Sequence, residues 1–380
     1  MNILILHGTS DLYGGSKILY TVADFLRKKY GVTVILSEEG PLADVLREHG
    51  IEVIIMKMGI LRRKYLNPKG LINRVRALTK AKREIKEIVE SKNIQLLYSN
   101  TTGVLIGAYV ANSCKIKHIW HIHEIIEKPA LFTKFIGWHI KKFADLVIVV
   151  SNEVKKHWEK YLDANIIHTV YNGIDYQPII NAEDGLRDEL QLTNDDILIG
   201  MIGRVNLWKG QKYFLEITTL LCKKYPNVKF VMVGDVYPGY EYLYDEIKQI
   251  IDNNKLEKNV YNLGYRTDIP YILKGLDIFI LPSILPDPLP TVILEAMAAG
   301  KPVVATKHGG AIEMVQQGKT GALIPWDNAE QAVDSISAII EDPTLRINMG
   351  EAGKKRALDN FSLPAFEKNV FSLIDSLNIE

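Results

Sequence analysis

Cysteine is scarce: Cys114 and Cys222 are the two in 380 residues. They are too few and too far apart for a disulfide framework or a zinc site, which fits a reducing compartment. No apolar run approaches the ~20 residues of a membrane span. Neither sign of charge dominates, the formal net charge being +1, and this argues against bulk binding to nucleic acid. No G-x-G-x-x-G and no Walker A sequence occurs, so the usual dinucleotide and P-loop fingerprints are both missing. No Asp-x-Asp pair occurs either, so the carboxylates that commonly bridge a metal to a phosphate are lacking. Met1 leads directly into Ile3-Leu4-Ile5-Leu6 without a basic segment or cleavage site, so no signal peptide is expected and the cytoplasm is the expected location. There is no internal repeat and no low-complexity segment.

What is present suits a soluble α/β protein. Hydrophobic residues make up 47% and charged residues 24%, enough core material for two domains of ordinary size. Short apolar runs alternate with helical patterns. Asn2–His7, Val32–Leu36, Val53–Met56, Leu96–Tyr98, Ile119–Ile122 and Ala144–Val150 predict strands of one half, the last closing it. Ile197–Ile202, Val228–Val233, Val260–Gly264, Ile278–Leu281 and Val303–Thr306 predict those of a second. Strands alternating with helices indicate parallel, doubly wound sheets. Tyr171-Asn172-Gly173 is a turn signal. Domains are therefore expected over 1–172 and 173–357, with a last helical segment at 358–380.

The most informative stretch is LPSILPDPLPTVILEAMAAGKPVVATKHGG, Leu281 to Gly310. Pro282, Pro286, Pro288 and Pro290 keep the loop out of any regular ladder or helix. Pro290 suits a first helical position, where its missing N–H has no partner to lose. Thr291 to Ala299 are mostly good helix formers and Gly300 stops them. A helix that starts just past a strand end lies where open α/β sheets bind ligands, and its free N–H groups favour an anion. Asp287 and Glu295 flank that start. Acids beside a phosphate site more often grip hydroxyl groups than phosphate, and a ligand with phosphates and many hydroxyls is a nucleotide sugar. Taken singly, Glu295 reads as a solvated helix acid and Asp287 as a turn residue.

Other candidates also lie at strand ends. Gly14-Gly15-Ser16 falls between strand and helix, as a capped turn or a phosphate loop. His123 follows the strand at Ile119–Ile122, and His121, two residues earlier, is expected to point the other way. Arg204 and Lys209 flank a loop running into a helix from Gln211, where Arg can grip phosphate through paired hydrogen bonds and Lys acts as a point charge. Tyr265 and Arg266 follow the strand near Val260, as loop packing or as base contacts. Between Lys57 and Arg83 basic residues face few acids, and most of this region predicts one helix from about Lys69 to Lys92. Such a run is a solvated face or a membrane-surface face.

Asp287, seven residues, Glu295 and then Ala296-Met297-Ala298-Ala299-Gly300-Lys301-Pro302-Val303-Val304-Ala305 resembles the acid-x7-Glu signature of the retaining glycosyltransferases of family 4. Gly203-Arg204, Lys209-Gly210, Gly234-Asp235, Gly309-Gly310 and Glu313 extend the resemblance, which covers nearly the whole chain and is densest from Gly203 to Glu313. Asp287 stands where the family usually has Glu, and Pro290 where it usually has Gly.

The resemblance implies a GT-B fold, two Rossmann-like domains facing a central cleft, and sugar transfer with retention from a UDP- or GDP-sugar to a glycan or polyprenyl-linked acceptor. It implies that Arg204 and Lys209 bind the donor diphosphate together with the Gly14-Gly15 loop. His123 and Asp287 then meet the transferred sugar, and Glu295 the ribose. Leu289, Thr291 and Val292 complete the donor set, with Tyr265 and Arg266 by the base. No metal, other cofactor or nucleic-acid partner is expected, and peripheral association with the inner membrane face is an open reading. The alternatives on the same fold are a nucleotide-sugar 2-epimerase or a phosphorylase; outside catalysis, a nucleotide-sugar-binding protein.

Overall fold

The structure is a computed structural model and describes residues 1–12, 14–61, 67–236 and 239–379. Arg62, Arg63 and Lys64 of the basic region lie outside them. The chain divides into two compact units, Met1–Asn172 with Pro364–Glu380, and Gly173–Leu363. Each is a parallel sheet with helices.

The first unit contains β1 (Asn2–His7), β2 (Gly31–Leu36), β3 (Glu52–Ile55), β4 (Leu96–Asn100), β5 (Lys117–Ile122), β6 (Leu146–Val149) and β7 (Ile167–Thr169). Their order across the sheet is 3-2-1-4-5-6-7, so chain direction across the sheet reverses between β1 and β4. That switch point is where ligands bind in such sheets. On one face Leu4, Leu6, Ile35 and Leu97 pack with Ile85 and Val89 of the helix Pro68–Ser91 and with Ile106 and Val110 of the helix Ile106–Cys114. Alternate residues of each strand supply that face. The half does not close at the strand near Ala144–Val150: β6 is shorter than expected, and β7 adds a further parallel strand beside it. The last helix, Leu363–Asp375, joins this unit from Pro364 onward. Phe366, Val370 and Ile374 recur at helical spacing and are buried, and Phe25 meets Phe366 edge-on and Phe371 at a tilt, with ring centroids 5.5 and 5.6 Å apart.

The second unit contains β8 (Ile197–Ile202), β9 (Val228–Val233), β10 (Val260–Asn262), β11 (Ile278–Leu281), β12 (Val303–Thr306) and β13 (Gly321–Ile324). The order is 10-9-8-11-12-13, again all parallel, with the switch point between β8 and β11. Phe214, Ile217 and Leu221 of the helix Gln211–Lys224 and Ile336 and Ile339 of the helix Ala329–Glu341 share one core with Ile199, Phe230, Ile278 and Val304. Burying each such side chain contributes roughly 1.5–3 kcal/mol.

Two local expectations need correction. Pro290 is not the first helical residue but the N-cap of Thr291–Ala298, with an extended ψ of 102°. Ser16 does not cap its helix. Gly14 holds that place at φ 44°, ψ −116°, a conformation closed to residues with a Cβ, and the Ser16 hydroxyl donates instead to Asp11 Oδ1 at 3.0 Å.

Candidate active site

In the second unit the loops that follow β8, β11 and β12 meet at the switch point. Asn206 Oδ1 accepts from the N–H groups of Trp208 and Lys209 at 3.1 and 2.8 Å and turns the loop after β8. Gln211 Nε2 donates to the Arg204 carbonyl at 3.0 Å from the helix start. Gly210 closes this turn at φ 82°, where a Cβ would overlap the Pro282 carbonyl oxygen. The Ile284 N–H donates to the Trp208 carbonyl at 2.8 Å, tying the first loop to the second. The Gly310 N–H donates to the Asp287 carbonyl at 2.7 Å, tying the second to the third. A Cβ at Gly310 would overlap the Pro288 carbonyl oxygen, so this closeness needs glycine.

The side chains converge on Asp287. Its Oδ2 accepts from Lys209 Nζ at 2.8 Å and from the Ser283 hydroxyl at 2.7 Å. Lys209 and Asp287 side chains are only 18% and 16% exposed, so this pair is better shielded than a surface salt bridge. Both bonds fall on one oxygen, leaving Oδ1 available to a ligand hydroxyl. Ser283 and His308 went unmarked in the sequence. Ser283 is itself fixed by Thr306, whose hydroxyl donates to its carbonyl at 2.7 Å. Burial lowers the pKa of His308, while nearby Asp287 pulls the other way.

Leu289 is buried, and Thr291, Val292 and Glu295 are half-buried on the first turns of the following helix. Glu295 stands close enough to the buried Tyr176 for its charge to add to the burial that raises the phenol pKa. Arg204 is half-buried in the first loop. Tyr265 is 59% exposed beyond β10. The Arg266 guanidinium is held by Asp268 at 2.8 and 2.6 Å and by Glu189 at 2.7 Å, which raises its pKa further and uses most of its donors on the protein itself.

In the first unit, Gly14, Gly15 and His123 gather at that sheet's own switch point. The His123 ring lies against Gly15, 3.5 Å from where a Cβ would stand. Its Nε2 meets Asn100 Oδ1 at 2.8 Å. β5 ends at Ile122, and His121 does not point away from His123 as expected: residues two apart share one face of a strand, and the ring centroids are 4.1 Å apart. Burial lowers the pKa of His118 to about 4 and of His121 to about 3, and drives that of His123 well below its ordinary value, with His121 and His7 adding to the shift. Burial also raises Glu124 to about 7, against the lowering effect of N–H donation from Thr102 and His123.

These shifts predict a pH dependence of stability. The unfolded histidines titrate near 6.5, above their folded values, so below pH 6.5 the unfolded chain binds more protons and stability falls with acid. Glu124 acts oppositely between its ordinary 4.5 and about 7, where the folded state holds the extra proton. Three histidines outweigh one carboxyl, at about 1.4 kcal/mol per group per pH unit. The melting temperature should climb from pH 4.5 to 6.5 and level off near pH 7. A flat profile by circular dichroism from pH 5 to 6.5 would contradict neutral burial of these rings.

The family model described as Glycosyltransferase Family 4 matches residues 13–177, and that described as Glycosyl transferases group 1 matches 183–356. A curated relative is the UDP-Gal:alpha-D-GlcNAc-diphosphoundecaprenol alpha-1,3-galactosyltransferase of Escherichia coli, 27% identical over 353 residues, covering 88% of this chain and 86% of the relative. Anabaena HepE solved with UDP is 26% identical, with a TM-score of 0.86 over 99% of this chain and 100% of its own. HepE solved with UDP-glucose has a TM-score of 0.85 at 26% identity and the same coverage. The chain belongs to the GT-B glycosyltransferases. It transfers a sugar from a nucleoside-diphosphate sugar to an acceptor. Among the described residues, no group of three or more His, Cys, Asp or Glu side chains is placed to hold a metal ion, and no helix is long and apolar enough to cross a membrane.

Proposed function

We propose that the donor is a UDP-sugar, that transfer proceeds with retention, and that the acceptor is a sugar hydroxyl on a polyprenyl diphosphate. The observation that carries the donor side is the Lys209–Asp287–Ser283 cluster sewn into three loops at the second unit's switch point, with Arg204 on the same loop as Lys209. Arg204 and Lys209 take the diphosphate and stabilise the charge that grows on it as the sugar departs. The helix start near Thr291 adds N–H donors. Asp287 and His123 meet the sugar, and Glu295 takes the ribose hydroxyls. Tyr265 and the main chain beside it take the base, because Arg266 is engaged by Asp268 and Glu189. HepE is bound to UDP and UDP-glucose, and the E. coli relative acts on a diphosphoundecaprenol-linked sugar, which supports uridine and a lipid carrier. The test is incubation with UDP-glucose, UDP-galactose and GDP-mannose plus a polyprenyl-diphosphate sugar. Release of UDP with an anomer-retained product is expected. Isomerised donor without glycoside would favour an epimerase, and no turnover of any donor would favour a binding protein.

A lipid-linked acceptor calls for a membrane-facing surface. On the helix Ala130–Phe143, Leu131, Phe135 and Trp138 are exposed at 81%, 43% and 54%, one stripe at i, i+4 and i+7. Lys134, Lys141 and Lys142 flank it. On Pro68–Ser91, Ile72 and Val75 are exposed beside Arg76, whereas Lys80, Arg83 and Lys86 further along pair with Glu84, Glu87 and Glu90. An apolar stripe rimmed by lysine fits an anionic bilayer surface, each cation contributing about 1 kcal/mol. The protein should sediment with phosphatidylglycerol vesicles at low salt. Substituting Leu131, Phe135 and Trp138 together by Ser should abolish this, and unchanged sedimentation would rule the stripe out.

A further inference from the structure

The polar groups behind His123 form one chain whose hydrogen-bond directions can be read. Asn100 Nδ2 lies 3.2 Å from the Gly15 carbonyl and 3.0 Å from His7 Nδ1. A carbonyl only accepts, so the amide NH2 faces Gly15 and His7, and the amide oxygen faces His123 Nε2 at 2.8 Å. That oxygen also only accepts, so His123 Nε2 carries the hydrogen. His7 Nδ1 receives the amide hydrogen and is bare. Its Nε2 therefore carries the hydrogen and faces the hydroxyls of Ser16 at 2.9 Å and Thr9 at 3.1 Å, and Ser16 donates to Asp11 Oδ1 at 3.0 Å. From His123 through Asn100, His7 and Ser16, every bond points towards the Asp11 carboxylate. A chain ending on an obligate acceptor has one favourable direction.

We propose that Asn100 is a positioning residue that locks His123 in the Nε2–H tautomer, so that His123 meets its ligand with Nδ1 as an acceptor. The ligand of such a nitrogen is a hydroxyl that donates, not a phosphate or carboxylate, which cannot. This rests on the reading of His123 as a contact of the transferred sugar, and it adds the polarity of that contact. Burial keeps the ring neutral, as the acceptor role requires. The titratable and charged groups that bear on the ring are His121 at 4.1 Å, with Tyr98 hydrogen-bonded behind it, Glu124 against its N–H, His7, and Asp11 at the end of the chain.

The tautomer is visible without a ligand or an assay. In the 15N-labelled, full-length protein, two-bond 15N–1H correlation, with His123→Gln used for assignment, should show His123 with a pyrrole-type Nε2 and a pyridine-type Nδ1 from pH 6 to 8. The opposite tautomer, or an imidazolium at pH 7, would overturn the proposal whatever the enzyme's substrate. Asn100→Asp keeps the shape but replaces the donor by a second acceptor, which favours His123 imidazolium. Its kcat at pH 7 should fall tenfold or more, with donor KM changed less than threefold, and should recover as pH rises towards 9. A uniformly lower kcat with the wild-type pH profile would mean a merely structural role. If no donor is turned over at all, the function proposed above fails while the resonance experiment still decides the tautomer.

Discussion

Asp287→Asn lowers kcat for sugar transfer by roughly tenfold to a hundredfold and weakens discrimination between donor sugars. The carboxylate holds Lys209 and Ser283 on Oδ2, and its backbone is fixed by Gly310. The amide keeps the shape but loses the charge that orients Lys209, and on the proposed reading it offers the sugar hydroxyl a mixed donor and acceptor in place of a pure acceptor. One charge-assisted hydrogen bond is worth about 1.5–3 kcal/mol, which sets the range. A contact that positions the reacting carbon registers in kcat, and a site built to bond a hydroxyl rejects analogues lacking it. Glu295→Gln fails differently. The ribose contact proposed for Glu295 would be common to the ground and transition states, so its loss should raise donor KM and spare kcat. Asp287→Glu restores the usual family residue and shifts sugar preference if the shorter acid sets it. If Asp287→Asn keeps both kcat and sugar preference, Asp287 does not touch the sugar.

Lys209→Ala costs more, roughly a hundredfold or more in kcat/KM. On the proposed reading the lysine faces the diphosphate, and it is also the partner of a shielded carboxylate. Its removal deletes one charge-assisted contact and leaves Asp287 uncompensated beside an incoming anion. Like charges in such a site repel, and breaking a shielded pair leaves the remaining charge costly to keep. The double variant Lys209→Ala with Asp287→Asn should therefore lose less than the product of the two single losses. Donor kinetics on the four proteins of this cycle measure the coupling. Independent losses would mean that the pair is a surface ornament and that the diphosphate is held elsewhere.

Much of the fold is legible in the sequence because the strands are buried on both faces. Ile197–Ile202 is an unbroken apolar run and Val228–Val233 one broken only by Lys229, and both are strands over those residues. Pro41–Glu48 is bounded as a helix by Gly40 with Pro41 at the start. β7 escapes because three residues, Ile167-His168-Thr169, carry no period to read. β13 begins on Gly321, whose backbone closely approaches Val303, so its start looks like a turn. The candidate site divides in the same manner. Positions are legible, since Arg204, Lys209, Asp287 and Glu295 sit at marked strand and helix boundaries. Pairings are not: Lys209 and Asp287 are 78 residues apart in sequence, and nothing local says that one loop hands its cation to the other. Asn100 is missed because an asparagine at a strand end looks like an ordinary turn residue. The meeting of His121 and His123 is legible, since residues two apart share one face of a strand, and the expectation that they diverge runs against that period.

The central claim is that the cluster at the switch point of the second unit binds the diphosphate of a nucleotide sugar. Calorimetric titration of UDP into the wild-type protein and the Lys209→Ala variant, both in EDTA, tests it most directly. Saturable binding at one site per chain is predicted for the wild type, weakened by at least tenfold in the variant. Equal affinity in the two proteins, or no binding of UDP or GDP to either, would contradict it.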